Sequence, residues 1–178
     1  MLGSVRGVPG NRHSYRDLHE FHMNIKEITE QLIRHEGLRL KPYHCPAGRL
    51  TIGVGRNLED KGITEKEAVM LLENDIQECI ADLKDIFQDD PDTIDDPDTA
   101  ADKENRFDLL PESVQRVLVD MRFNLGYQGF RAFKKMIKAV KQQEFHTAAL
   151  EMKDSRWFHQ VGARAKRLTE MMQGQADS

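Results

Sequence analysis

Residues 64–87 carry the helix signal that most constrains the fold of this chain. Thr64 and Glu67 form the Thr-x-x-Glu pattern of a capping box, which satisfies two backbone donors at a helix start. Behind it, apolar residues recur at the i, i+3, i+4, i+7 spacing of one helix face. They are Ala68, Leu71, Leu72, Ile76, Cys79, Ile80 and Leu83. The pattern predicts a helix over 64–87 that is long enough to join two lobes.

The residues before this helix predict a small lobe that contains a β-sheet. Helical apolar spacing begins at Met23, and Gly37 is a plausible stop because glycine commonly follows a helix end. Residues 39–58 combine short β-like runs with turn formers and therefore predict a hairpin sheet. The turns are expected at Pro42, Pro46–Gly48 and Gly53–Gly55.

The residues after the long helix predict a loop and then a helical lobe. Residues 88–105 contain two prolines and eight acids against one lysine, so charge repulsion favours a loop without a packed core. Pro111 suits a first helical turn, and a buried stripe follows it. Gly126 and Gly129 are expected to bound a short link. Further helices are expected at about 130–142, 144–153 and 160–173.

These elements predict a mainly helical α+β fold with one domain over 23–174. Its lobes are expected at about 23–63 and 88–174, with residues 64–87 as the connecting helix. Residues 1–22 are polar and lack periodicity, which indicates a mobile extension. Residues 175–178 are expected to form a short tail.

Bulk composition excludes several classes of protein. The formal net charge is −4, so the overall charge does not indicate a nucleic-acid partner. The longest apolar runs are far shorter than the ~20 residues of a membrane helix. No charged-then-apolar start resembles a secretory signal, and two cysteines make no disulfide framework, so folding in a reducing cytoplasm is expected. The seven histidines show no metal-ligand spacing.

The chemistry-bearing residues of the predicted small lobe are Glu36, Cys45 and Thr51. Eight residues separate Glu36 from Cys45, and five separate Cys45 from Thr51. The spacing places an acid at a helix end, a thiol in a turn and a hydroxyl in a strand. Such a group can protonate a leaving oxygen, and it can position a water or attack directly.

The chain resembles the phage-type lysozymes typified by the T4 enzyme, over nearly everything from Met23 to about Gly174. Several separated motifs carry the resemblance, and they occur in the family's order. Family members share a sequence pattern in which a Glu is followed after eight residues by Asp or Cys, and after five more by Thr. The other motifs are HEGLRLKPY, TIGVG, the long helix after GIT, DMRFNLG, and SRWFHQ followed by RAKR.

The resemblance implies a lysozyme-like fold whose cleft lies between the lobes, and hydrolysis of peptidoglycan without a cofactor or metal. Glu36 would be the general acid, and Cys45 and Thr51 would act on the other face of the sugar. Arg164 matches the family arginine that pairs with the glutamate. Phe123 and Asn124 match a pair lining the cleft. Arg56 stands where T4-like enzymes have a histidine, so the stabilising ion pair of that histidine is not carried over to this chain.

Cys45 is the main departure from T4-like sequences, which have an aspartate there. A thiolate is a better water-positioning group than a thiol and is also a strong nucleophile, so inversion and retention both stay open. Each residue also has a plainer interpretation. Glu36 and Arg164 would be solvated charges, Cys45 a half-buried turn residue, Thr51 a strand former and Phe123 a core residue.

Rival functions are a lytic transglycosylase that uses one glutamate, a non-catalytic wall-binding module, and a helical nucleic-acid binder. The intact set of acid, thiol and hydroxyl argues against binding alone, and no nucleic-acid motif is present. We therefore expect a monomeric endolysin with no nucleic-acid partner. It would act from the host cytoplasm through a holin-type membrane lesion.

The C-terminal half is basic. From Gly129 to the end, ten Lys or Arg face five acids. This local excess suits a solvated helical face, and it also suits attraction to an anionic cell wall or outer membrane.

Overall fold

The computed structural model describes residues 23–88 and 106–174, which form seven helices and a three-stranded sheet. This composition confirms the predicted α+β, mainly helical fold. The predicted extension 1–22, the tail 175–178 and all of the acidic loop beyond Gln88 lie outside the described residues. Two compact units make up the chain: unit 1, Met1–Ile63, and unit 2, Thr64–Ser178.

Unit 1 begins with helix α1, Ile25–Glu36. The Asn24 side chain caps its start by accepting hydrogen bonds from the backbone of Lys26 at 3.1 Å and Glu27 at 3.3 Å. Gly37 ends it at φ 77°, and its N–H donates to the Ile33 carbonyl at 2.9 Å. Glycine reaches this left-handed φ without a Cβ clash, which confirms the predicted stop.

The sheet of unit 1 is antiparallel, in the order β1 (Arg39–His44), β2 (Leu50–Gly53), β3 (Arg56–Asn57). Thr51 in the middle strand pairs with Tyr43 on one side and with Asn57 on the other. Its side chain is only 3% exposed. The predicted hairpin sheet over 39–58 is therefore confirmed, but the turn expected at Pro42 is wrong, because Pro42 lies inside β1.

Unit 2 opens with α2, Glu65–Ile86, at the predicted capping box. The Glu67 amide donates to the Thr64 hydroxyl at 3.3 Å, and the Thr64 amide donates back to the Glu67 carboxylate at 2.7 Å. The predicted stripe is buried only in the second half of the helix, which packs against α3. Cys79 and Leu83 are fully buried there, whereas Leu71 is half exposed.

Five helices follow and enclose one hydrophobic core with the end of α2. No helix of residues 23–88 and 106–174 is both long enough and apolar enough to span a membrane. The five helices are α3 (Glu112–Arg131), α4 (Lys134–Lys141), α5 (Phe145–Lys153), α6 (Arg156–Val161) and α7 (Ala163–Met172).

Two glycines change the predicted helix boundaries. Gly126, at φ 69°, interrupts the helical geometry of α3, but the helix resumes and contains Gly129. The break predicted at Gly126 is therefore confirmed, whereas the link does not extend to Gly129, which lies in the resumed helix. Gly162, at φ 64°, divides the predicted helix 160–173 into α6 and α7. At both points a left-handed residue breaks a helix whose apolar spacing continues beyond it.

Candidate active site

Glu36 is the last residue of α1, and its side chain is exposed. Gly37 turns the chain directly into β1, so the carboxyl stands where the helix meets the sheet. Within the described part of unit 1, its carboxylate is engaged in no hydrogen bond or ion pair. A general acid must reach a substrate oxygen, and this carboxyl is not committed to a structural partner in its own unit.

Cys45 opens the tight turn between β1 and β2. Its amide donates to the Arg49 carbonyl at 3.0 Å, and the Gly48 amide donates to the Cys45 carbonyl at 2.8 Å. Gly48 has φ 78°, a left-handed conformation that glycine tolerates. The turn predicted at Pro46–Gly48 therefore closes the hairpin and leaves the Cys45 side chain partly exposed.

Thr51 lies close to Cys45 in the hairpin. Its hydroxyl donates to the Arg49 carbonyl at 2.9 Å, and its proximity helps to lower the pKa of the Cys45 thiol. One hydroxyl proton serves one acceptor at a time. With a neutral thiol, Thr51 can keep its bond to Arg49 and accept from the S–H. With a thiolate, the hydroxyl can turn to donate to sulfur.

The turn favours the thiolate of Cys45. The Arg49 backbone, acting against partial burial, lowers the pKa of this thiol, with further donors at the Ala47 backbone and the Thr51 hydroxyl. Cys79 shows the opposite shift, because burial in unit 2 raises the pKa of its thiol. Cys79 is a core residue, as predicted.

The two thiols are expected to react at different pH. Alkylation of Cys45 by iodoacetamide should have its midpoint below that of an ordinary thiol, and Cys79 should react slowly because it is buried. Thr51→Val removes a hydroxyl donor and should move the Cys45 midpoint upward. Peptide mass spectrometry after timed labelling from pH 6 to 10 measures both rates. Equal midpoints for the parent and Thr51→Val would show that the hydroxyl does not hold the thiolate.

Glu59 anchors the segment between Cys45 and Thr51 and was not found by sequence reasoning. Its carboxylate pairs with the Arg49 guanidinium at 3.0 Å and accepts from the Leu50 amide at 3.1 Å. The Leu50 amide, followed by Arg49, lowers the pKa of Glu59. Because Arg49 also meets Cys45 and Thr51 through its backbone, these Glu59 contacts hold in place the segment that joins the two residues.

This shift predicts an acid-sensitive hairpin. A lowered carboxyl pKa stabilises the folded state above the ordinary value of 4.5, and the stabilisation disappears as pH falls through the lower folded pKa. The difference in melting temperature between the parent and Glu59→Gln should therefore shrink from pH 6 to pH 3. The Leu50 amide proton should titrate in the parent and not in Glu59→Gln. The control Glu73→Gln, on an exposed residue of α2, should leave the Leu50 titration unchanged.

The predicted substrate-binding residues of unit 2 have mixed surroundings. Phe123 is 45% exposed and lines a cavity of about 490 Å³ together with Arg164 and Asp120. Asn124 accepts a hydrogen bond from the Trp157 indole at 2.8 Å, and Trp157 is almost fully buried. Phe123 therefore has the surface exposure that a substrate contact needs, whereas Asn124 also holds the core in place.

Arg164 forms its ion pair within unit 2 with Asp120. Its Nε and Nη2 atoms lie 2.9 and 2.8 Å from one carboxylate oxygen. The sequence offered no signal for Asp120 as this partner, because the two residues are 44 positions apart. The pairing of Arg164 with Glu36 stays a prediction. Arg56, in the place of the T4-like histidine, donates to the Gly62 carbonyl at 2.6 Å and ties β3 to the end of unit 1.

Comparison with known proteins identifies the family. The family model described as phage lysozyme matches residues 33–173, which include Glu36, Cys45, Thr51, Phe123 and Arg164. The match covers both units.

Three relatives agree with this match. The probable T4-type lysozyme 2 of Dictyostelium discoideum is 24% identical over 162 residues, which cover 84% of this chain and 95% of that protein. The pre-baseplate central spike protein Gp5 of Enterobacteria phage T4 is 28% identical over 80% of this chain, which spans only 27% of the spike protein. An endolysin of Acyrthosiphon pisum secondary endosymbiont phage 1 is 45% identical over 64 residues, covering 33% of this chain and 43% of that protein. The chain therefore belongs to the phage lysozyme family and is a glycoside hydrolase whose substrate is peptidoglycan.

Proposed function

We propose that the chain is an endolysin that hydrolyses the β-1,4 bond between N-acetylmuramic acid and N-acetylglucosamine, with Glu36 as general acid. A glycosidic oxygen is a poor leaving group until it is protonated, and the exposed carboxyl at the end of α1 can supply that proton. Cys45 and Thr51 act on the opposite face of the sugar, where a second group is needed.

The hairpin that places the partly exposed Cys45 beside Thr51 is the observation that supports this assignment. A thiolate can orient a water for attack, and a neighbouring hydroxyl can hold that water by a second hydrogen bond. The same pair can instead present sulfur directly to the anomeric carbon. Both routes use the protonated acid of Glu36 for the leaving oxygen.

Digestion of purified peptidoglycan followed by mass spectrometry tests the reaction. Hydrolysis should release muropeptides with a reducing N-acetylmuramic acid end, each carrying the mass of one added water. Products with an anhydro-muramyl end would instead identify a lytic transglycosylase. Wall binding without any released muropeptide would identify a non-catalytic binding protein.

We also propose that a monomer acts from the host cytoplasm through a holin-type lesion. The test is expression in a bacterial host with and without a membrane-permeabilising agent. The optical density of the culture should fall only when the membrane is opened. Lysis without the agent, at equal expression, would contradict this route.

The basic C-terminal half supports a contact with the anionic envelope rather than with nucleic acid. Its ten Lys and Arg against five acids give residues 129–178 a local positive charge within a chain of net charge −4. Such attraction weakens with added salt. Co-sedimentation with purified walls in 0.05 and 0.5 M salt is expected to show this weakening.

A further inference from the structure

A pocket of about 1030 Å³ lies in unit 2 beside α4. Its apolar wall includes Ile86, Ala132 and Ile137, whereas its polar rim is formed mainly by cations. These are Arg106, Arg131, Lys134, Lys138 and Lys141, against one acid, Asp85. None of the residues proposed for hydrolysis lines this pocket.

Four of these cations have no counter-ion among the described residues. Within residues 23–88 and 106–174, Arg131, Lys134, Lys138 and Lys141 take part in no ion pair. The Arg131 guanidinium lies 5.4 Å from the centre of the Tyr127 ring. The Tyr127 hydroxyl in turn donates to the Asp85 carboxylate at 3.2 Å, so the one acid of the rim is already hydrogen-bonded.

The lysines form a row along one face of α4. Lys134 and Lys138 are four residues apart and Lys138 and Lys141 three apart, so the three side chains share one face over about 10 Å of helix axis. Like charges at these spacings destabilise a helix. The opposite face of α4 is buried through Met136, Ala139 and Val140, which holds the row in place.

From this arrangement we infer that the pocket binds a linear, phosphate-bearing polymer of the bacterial envelope. Lysine ammonium groups act as point charges for phosphate, and arginine can add a bidentate contact. A row of cations can meet successive charges of one polymer. This site rests on the proposed envelope contact and gives it a defined place, separate from the hydrolytic residues.

Calorimetric titration of the full chain with linear polyphosphate tests the pocket. The triple variant Lys134→Gln, Lys138→Gln, Lys141→Gln should weaken binding by about tenfold or more and lower the salt slope by about 2. The matched control Lys135→Gln, Lys153→Gln, Lys166→Gln changes three exposed lysines of unit 2 outside the pocket. It removes the same charge and should weaken binding by less than about threefold. Equal losses in the two triples would overturn the pocket and leave a diffuse basic surface.

Co-sedimentation with walls identifies the polymer. Walls that carry phosphodiester-linked polymers are compared with the same walls after hydrofluoric acid has removed those polymers, in the Glu36→Gln background to prevent lysis. The protein with the intact pocket should bind the stripped walls about tenfold or more weakly than the untreated walls. The triple variant Lys134→Gln, Lys138→Gln, Lys141→Gln should bind the two kinds of wall with nearly the same affinity. Equal binding to both walls would overturn the polymer assignment, even if muropeptide release proves the hydrolase.

Three further outcomes would also reject this occupant. Binding to vesicles of anionic phospholipid without binding to polyphosphate would indicate a membrane instead. Tighter binding to duplex DNA than to polyphosphate, at equal phosphate concentration, would indicate nucleic acid. The third concerns the eight acids of residues 89–104. The described residues on either side of this segment, Gln88 and Arg106, both line the pocket. If polyphosphate binds only after these acids are changed to Asn and Gln, the chain itself competes for the pocket.

Discussion

Glu36→Gln is expected to reduce wall lysis by about 10²- to 10⁴-fold, the effect of losing one general acid. The amide keeps the shape of the side chain but cannot deliver a proton to the leaving oxygen. Because Glu36 is exposed and has no partner within the described part of unit 1, the change should leave the melting temperature unchanged. The rate of turbidity loss in a suspension of purified walls measures the effect.

Glu30→Gln provides the matched control. Glu30 is an exposed glutamate on the same helix, α1, and its replacement removes the same charge from unit 1. It should retain nearly the full lytic rate. Residual lysis by Glu36→Gln above a few per cent of the parent, with the control intact, would show that another group protonates the leaving oxygen.

The regular elements of the fold could be predicted because local signals determine them. The capping box at Thr64 and the glycine stop at Gly37 each rest on residues within one helical turn. The break at Gly162 was not predicted, because a single glycine within continuing apolar spacing is usually tolerated. The extent of burial along α2 could not be predicted either. The spacing of apolar residues marks one face of a helix but does not say how much of that face a neighbouring helix covers.

The site was predictable where it depends on side-chain type and spacing. Cys45 and Thr51 lie at the predicted turn and strand, and the hairpin brings their side chains together. The role of Arg49 was hidden because it acts through its backbone amide and carbonyl, which every residue possesses. Glu59 was hidden because an acid ten residues beyond Arg49 has no distinguishing pattern. The roles of Phe123, Asn124 and Arg164 depended on resemblance, since neither periodicity nor composition marks a substrate contact.

Replacement of Cys45 has the second large expected effect. Cys45→Ala removes the thiol whose ionised form the Arg49 backbone and Thr51 favour, and should reduce lysis by about 10²- to 10⁴-fold. Cys79→Ala is not a suitable control, because Cys79 is fully buried and its truncation leaves a cavity. Alkylation of the parent supplies the control instead. It should inactivate the enzyme through Cys45, and a bound chitooligosaccharide should slow that inactivation.

Cys45→Asp separates the two roles open to the sulfur. If Cys45 positions a water, a carboxylate can accept the same hydrogen bond, and the aspartate variant should retain substantial activity while Cys45→Ala does not. Near-full activity of the alanine variant would make Cys45 structural. If alanine and aspartate both abolish lysis with melting temperatures unchanged, a nucleophilic sulfur and a covalent glycosyl-enzyme account for the loss better. Proton NMR of the first-formed anomer then decides, because water attack inverts the anomeric centre, whereas two successive displacements through sulfur retain it.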